Sequence, residues 1–315
     1  MTETGSQLIE FWKKPEVDEV YMLAGFRQWA DAGSVSSGLP QYIVQQTRAE
    51  PIGRIRPDGF YLFQVPGTHD LMRPVVRFQN GYPESLDSQH NDFYYYQDGP
   101  RGVVVFEGDE PHMDVDRYVG TLLQAARMLN VKRIIGFGGV YGELPYDKER
   151  MISCNYSIRR MKAELDNLAV TFSDYHGGAS IGSVICKRAG EQGIEYAGLY
   201  AFVPAYDFSL VLPAGSTVRV ENDFTAWLGV MRRVNHMLKL RFDLHDLEEK
   251  SRQLTELIRT KLEEIEEQAP QLGVNEYLQK LSEDFNEQSF DPLDEIWEEK
   301  LKGLMERFDD DEEEK

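Results

Sequence analysis

Cysteine is nearly missing from this chain: there are two in 315 residues, Cys154 and Cys186. No metal-ligand spacing surrounds either one, so a disulfide framework and a thiolate metal site are set aside, and two free, buried thiols are expected. Positive charge is also scarce, with 34 Lys and Arg against 54 Asp and Glu. A net charge of −20 without a basic stripe argues against binding to nucleic acid or to an anionic membrane. No apolar run approaches the roughly 18 residues of a membrane helix. Trp12, Lys13, Lys14, Pro15 and Glu16 stand where a secretory leader would need its apolar stretch, so a cytoplasmic protein is expected.

The common catalytic signatures are missing as well. Of the six histidines, at 69, 90, 112, 176, 236 and 245, no two are four residues apart. That removes a helical metal pair and leaves His112, beside Glu110 and Asp114, as a loop residue. The run GGASIGS at 177–183 lacks the lysine of a phosphate loop and the three spaced glycines of a dinucleotide loop. Ser36, Ser37, Ser153 and Ser180 have no glycine-flanked elbow. No catalytic residue, metal or cofactor is assigned on this basis.

What is present is a crossover unit at 102–145. Residues 103–106 are apolar and rich in valine, as in a strand buried on both faces. Val115, Tyr118, Val119, Leu122, Leu123, Ala126 and Leu129 then form one helical stripe, with Asp114 and Asp116 at its start and Arg127 and Asn130 at its end. A second strand leads into the glycine-rich stretch GFGGVYGELP, read as a loop. Residues 1–18 read as a loose arm anchored by Leu8, Ile9, Phe11 and Trp12, and residues 20–25 as the first strand. The helix that follows should kink or start late at Pro40.

Between 51 and 99, short apolar runs at 60–65, 75–78 and 93–96 alternate with Pro and Gly, as antiparallel strands do. A helix at 156–168, a strand at 170–173, a helix opened by Ser180 and a strand at 196–203 complete a three-layer α/β/α domain with a mixed sheet over 1–221. From 222 to 308 only helical stripes remain, reaching Leu293, Trp297, Leu301, Leu304 and Phe308, and they read as helical hairpins packed on the α/β body. Residues 246–315 hold 24 acidic and 9 basic side chains, a net of −15, so everything before them carries −5. The last stretch, 309–315, is DDDEEEK and is expected to be disordered.

Four segments in order, GFRQWADAG, MRPVV, FEGDEP and GFGGVYGELP, make the chain resemble the proteasome assembly chaperone 2 family, and its acidic helical extension resembles that of the bacterial branch. The resemblance implies a phosphorylase-like α/β/α fold and a cytoplasmic, chaperone-like protein that self-associates or pairs with a protein partner. After Pro145 the chain has Tyr146, Asp147, Lys148 and Glu149 in place of the family's His-Thr-Arg-Pro, and it ends without the hydrophobic-tyrosine tail by which archaeal relatives dock.

Loops at the carboxyl ends of parallel strands are where such sheets bind ligands. They nominate Asp31, Gly33, Glu107, Glu110, Gly138, Gly139 and Glu143 as a ligand-binding set, the glycine turns offering amides to an anion. A simpler structural account is that Asp31 caps a helix, Glu107 and Glu110 bond backbone, and the glycines permit turns. Two functions of different class follow. One is the chaperone-like scaffold; the other is a nucleotide- or nucleoside-dependent enzyme, phosphorylase-like or ATP-grasp-like, with a carboxylate as general base.

Overall fold

Alternate side chains of the strand Arg101–Asp109 serve two different cores: Val103 and Val105 on one face, Val104 and Phe106 on the other. A continuous apolar run demands this, because a strand in the middle layer of three has no face left for water. The computed structural model describes residues 8–63, 73–207 and 217–290. In chain order its strands are β1 (Ile9–Phe11), β2 (Glu19–Arg27), β3 (Glu50–Ile55), β4 (Val75–Gln79), β5 (Tyr82–Asp87), β6 (Asn91–Asp98), β7 (Arg101–Asp109), β8 (Val131–Gly142), β9 (Ile152–Tyr156), β10 (Thr171–Phe172), β11 (Glu195–Asp207) and β12 (Thr217–Arg219). Its helices are α1 (Gly38–Thr47), α2 (Val115–Met128), α3 (Lys162–Leu165), α4 (Ile181–Glu191), α5 (Phe224–Leu238), α6 (His245–Gln268) and α7 (Val274–Glu283).

Ten of the described strands form one mixed sheet in the order β1-β3-β6-β7-β2-β8-β11-β9-β10, with β12 beside β11. The central four, β7, β2, β8 and β11, are parallel. The crossover from β7 through α2 to β8 therefore passes over β2, which lies between them. One face of the sheet shares a core with Leu39 and Ile43 of α1, Trp227 and Met231 of α5, and Leu247 and Ile258 of α6. The other packs on Tyr118, Leu122 and Ala126 of α2 and Ile185 and Ala189 of α4. The helices after 221 thus share a core with the sheet. Among the described residues, no helix is long and apolar enough to cross a membrane.

Local chemistry explains the helix ends. Asp223 caps α5 by accepting from the backbone N–H of Thr225 at 3.1 Å and of Ala226 at 3.0 Å, and Ser180 caps α4 by accepting from Ser183 N–H at 3.3 Å. Asn130, with φ 55°, closes α2 in the left-handed conformation. Pro40 sits in the first turn of α1, where no intrahelical N–H is needed, so the helix starts late and does not kink.

Several expectations need correction. The glycine stretch after the crossover is strand for its first seven residues, because β8 runs to Gly142. The loose arm contributes β1, paired antiparallel with β3, although Trp12 is exposed. The run from Phe60 to Phe63 is not strand, and residues 64–65 lie outside the described chain. The helix expected at 156–168 is shorter and broken: Tyr156 belongs to β9, and helical turns occupy 159–168. Asp114 and Asp116 do stand at the start of α2 as expected, with Asp114 paired to Arg117. The stripe from Leu293 to Phe308 and the acidic tail also fall outside the described residues.

Strand β4 matches the run expected at 75–78, and its partner β5 was not foreseen. The hairpin β4–β5 stands apart from the main sheet. Val76 pairs with Leu86 and Phe78 with Pro83 across it, which gathers apolar side chains on one face. All its residues are exposed.

Candidate functional site

The segment after β2 is shaped by Asp31. Its Oδ1 accepts from the backbone N–H groups of Ser36 at 2.9 Å and Ser37 at 2.8 Å, and its Oδ2 accepts from Ser37 Oγ at 2.6 Å. Burial pushes its carboxyl up, and these bonds pull it part of the way back. The carboxylate is therefore occupied with amides at the entry to α1. Gly33 acts through its carbonyl, which accepts from Asp223 N–H and from Trp227 Nε1, both at 2.9 Å. That joins the turn after β2 to the first turns of α5.

Gly138 and Gly139 lie within β8, where they permit close approach. Gly139 N–H donates to the Ala30 carbonyl at 2.8 Å, and a Cβ at 139 would lie 1.9 Å from the Ala32 carbonyl oxygen. A Cβ at 138 would lie 2.3 Å from the Tyr200 ring. Neither glycine forms a turn at a helix N-terminus, because β8 is strand on both sides of them. The anion-cradle geometry expected of them is absent.

The carboxylates of β7 and the loop after it separate by role. Asp109 is bound by Arg27, Nε to Oδ1 at 2.6 Å and Nη2 to Oδ2 at 2.8 Å, and accepts from His90 N–H at 2.9 Å. Glu107 shares the sheet face of Val105 and is buried. Burial, together with nearby Asp92, pushes its carboxyl up to about 7 against the opposing pull of His90 and Arg27. Glu110 reaches the start of α4, where Oε1 accepts from Ile181 N–H at 2.8 Å. Glu143 is exposed in the loop after β8. The nominated carboxylates therefore face α1, the β6–β7 side of the sheet, α4 and solvent, and do not converge on one point.

The structure brings forward residues that the sequence reading passed over. Arg150 and Asp223 form a fully buried ion pair, Nε to Oδ2 at 2.7 Å. Arg150 also donates to the carbonyls of Tyr146 at 3.0 Å and Lys148 at 2.8 Å, which folds the loop after β8 around it. Asp223 was detectable as an acidic residue directly before a helical stripe; Arg150 carries no local signal. Arg233 is buried on the carbonyls of Leu168, Ala169 and Gly229 and over the Phe290 ring, and burial lowers its guanidinium to about 10.

A cleft of about 470 Å³ opens at the carboxyl ends of β8 and β11. Its walls come from the turn after β2, the end of β8, β9, the segment after β10, the start of α4 and β11. Of the seven nominated residues only Gly139 lines it, and none of its lining residues is charged. Aromatic rings dominate: Tyr200 and Phe202 from β11, with Trp29, Tyr141 and Tyr175 at the rim. A second cleft of about 600 Å³ continues along α4 and shares Asn155, Ser173, Tyr175 and Ser183 with the first. Asn155 Oδ1 is buried and has no hydrogen-bond partner. Two of the α4 amides that would draw an anion are already taken, Ile181 N–H by the Glu110 carboxylate and Ser183 N–H by Ser180 Oγ. The first cleft is thus free of charged side chains, whereas Lys187 and Glu191 line the second. Among the described residues, no group of three or more His, Cys, Asp or Glu could hold a metal ion.

The PAC2 family model matches residues 25–262. Among solved structures, a PAC2 family protein from Streptomyces avermitilis is 22% identical with a TM-score of 0.65, the match covering 77% of this chain and 95% of that one. A proteasome-assembly chaperone homologue from Mycobacterium tuberculosis is 23% identical with a TM-score of 0.65, over 76% of this chain and 94% of that one. PbaB, an archaeal proteasome activator from Pyrococcus furiosus, is 17% identical with a TM-score of 0.56, over 80% and 97%. At these identities the likeness is one of fold. No curated protein matches the chain.

Proposed function

The chain belongs to the PAC2 family, and from that premise we propose that it is a cytoplasmic, chaperone-like scaffold whose α/β body binds protein, either a second copy of itself or a separate partner. The observation that carries this reading is the cleft at the carboxyl ends of β8 and β11. Aromatic rings and hydroxyls line it, and three of the rings stand exposed at its rim, which is the composition of a recognition surface. The hairpin β4–β5 adds support for self-association, since its apolar face with Phe78 and Leu86 lies open to solvent. The neighbours described as a proteasome-assembly chaperone homologue and a proteasome activator make work on a large protein complex the kind of task this reading brings to the chain.

The enzymatic alternative, a nucleotide- or nucleoside-dependent reaction, is weakened by one specific contact. Glu110 places a carboxylate on the first amide of α4, where a phosphate would have to sit. Size-exclusion chromatography with light scattering tests the scaffold reading. The expected result is a mass that is a multiple of the monomer's, or a co-purifying protein. A strict monomer with no companion would overturn it.

A further inference from the structure

The hairpin β4–β5 has a firm turn and a firm base, yet nothing beside it. Asn80 and Gly81, at φ 50° and 83°, make the two-residue turn whose twist suits antiparallel strands. At the base, Asp87 is held by Arg27 Nη1 at 3.4 Å, and Arg27 is itself fixed to the buried Asp109. The hairpin is nonetheless a sheet of its own, and two strands without a further strand are marginal in water. Five of the sixteen large apolar side chains that stand exposed among the described residues belong to it: Val75, Val76, Phe78, Tyr82 and Leu86. Such a concentration marks an interaction surface.

Its two edges differ. β5 carries Pro83, which has no N–H to give, and Glu84 at a bulge where the ladder slips between Arg77 and Phe78; these are devices that keep an edge from pairing. β4, with the sequence VVRFQ, has neither proline nor bulge, and three of its five residues favour strands. Its outer N–H and C=O groups have no backbone partner among the described residues. One edge is closed and the other open.

Charge and symmetry identify the strand that fits. The hairpin holds Arg77, Glu84 and Asp87, a net of −1, and Asp87 is offset by Arg27. Residues 246–315 hold −15 of the chain's −20, so two copies that touch through the hairpin bring little like charge together. A basic partner finds no excess of negative charge there to attract it. Antiparallel pairing about a two-fold axis sets a strand against itself. With Val76 opposite Val76 of the second copy, Val75 lies opposite Arg77 and the two Arg77 side chains stay apart. Each apolar side chain of β4 then gains a cross-strand neighbour, and the joined hairpins reach four strands.

We propose that β4 is a dimerisation edge: the β4 strands of two copies of this chain pair antiparallel and join their hairpins into one four-stranded sheet. The inference rests on the protein-binding reading above and names the partner, a second copy, and the surface it uses.

Light scattering on the full chain over a range of concentrations, joined to hydrogen–deuterium exchange, tests it. The parent should show an even multiple of the monomer mass that falls on dilution. The amides of Val75–Gln79 should exchange about tenfold faster in dilute protein than in the associated state. Val76→Lys combined with Phe78→Lys gives β4 the charges by which natural edges avoid pairing. That variant should have half the parent's mass and the parent's far-UV circular dichroism, because both side chains are exposed in the single chain. Leu257→Ser, which removes an exposed apolar side chain of α6, should leave the mass unchanged. An unchanged mass in the double lysine variant, or exchange in β4 that does not depend on concentration, would overturn the proposal. So would a parent that is monomeric by itself but carries a companion lost from the variant; the partner is then a different protein, and the scaffold reading stands. A strict monomer without a companion removes both.

Discussion

At Glu107 burial and neighbouring charge pull against each other. It sits on β7 with its carboxyl raised to about 7 by burial, so the folded state prefers it protonated. A carboxyl whose folded pKa lies above its ordinary 4.5 costs nothing below that value, where both states hold the proton. The cost grows as pH rises from 4.5 to about 7 and is constant above. Glu107→Gln keeps the shape and removes the charge. It should match the parent in stability near pH 4 and exceed it at pH 8. The ceiling set by that interval is about 3 kcal/mol, and residual contact with solvent reduces the expectation to about 1–2 kcal/mol. Urea unfolding of both proteins across this range is the check, and a difference that does not change with pH would refute the assignment. The sequence marked Glu107 as notable for a different reason, its place at a strand end. Its burial follows from the antiparallel neighbour β6, which brings Asp92 opposite it, a pairing no local pattern announces.

At the scale of elements, what was legible followed periodicity, and what was not followed tertiary packing. The stripe from Tyr118 to Leu129 reads as a helix because its spacing matches one helical face, and those residues are buried in α2 and at its end. The stretch 136–142 reads as a loop because glycine disfavours strands and favours turns. In the fold the same glycines make room inside β8 for Tyr196, Tyr200 and the turn at Ala32, a requirement set by partners far away in sequence. Likewise β5 escaped notice because Pro83, Glu84 and Ser85 break its apolar alternation, while its pairing with β4 gives it strand geometry. Gly139→Ala tests the account of β8. Its Cβ would collide with the Ala32 carbonyl and push the turn off the strand, so a loss of about 1–3 kcal/mol is expected. Thermal melts would report this as a drop of several degrees in Tm; an unchanged Tm would mean that the turn moves at no cost.

For the whole molecule, the question is whether the acidic helices are an appendage or a wall. The composition shift near 221, where strands give way to helical stripes, reads as a boundary, but the core crosses it. Trp227, Val230, Met231 and Val234 of α5 share a core with Leu23, Ile135 and Leu199 of the sheet. Asp223, just past the shift, holds Arg150 in the interior. A chain ending at residue 221 would leave Arg150 buried without its partner, a loss of about 3–5 kcal/mol, and would strip one face of the sheet. It should not fold. A chain ending at residue 243 keeps α5 and the ion pair and loses α6 and α7. The removed helices carry Leu247, Ile258 and Leu262, all buried, and Asp246, which accepts from Tyr42 OH at 2.7 Å. If they serve as a wall, the shorter protein should keep native-like circular dichroism, bind a hydrophobic dye and aggregate. If it remains soluble with the oligomeric state of the full chain, the wall account fails, and the acidic helices are a module for binding a partner, displayed on a body that is complete without them.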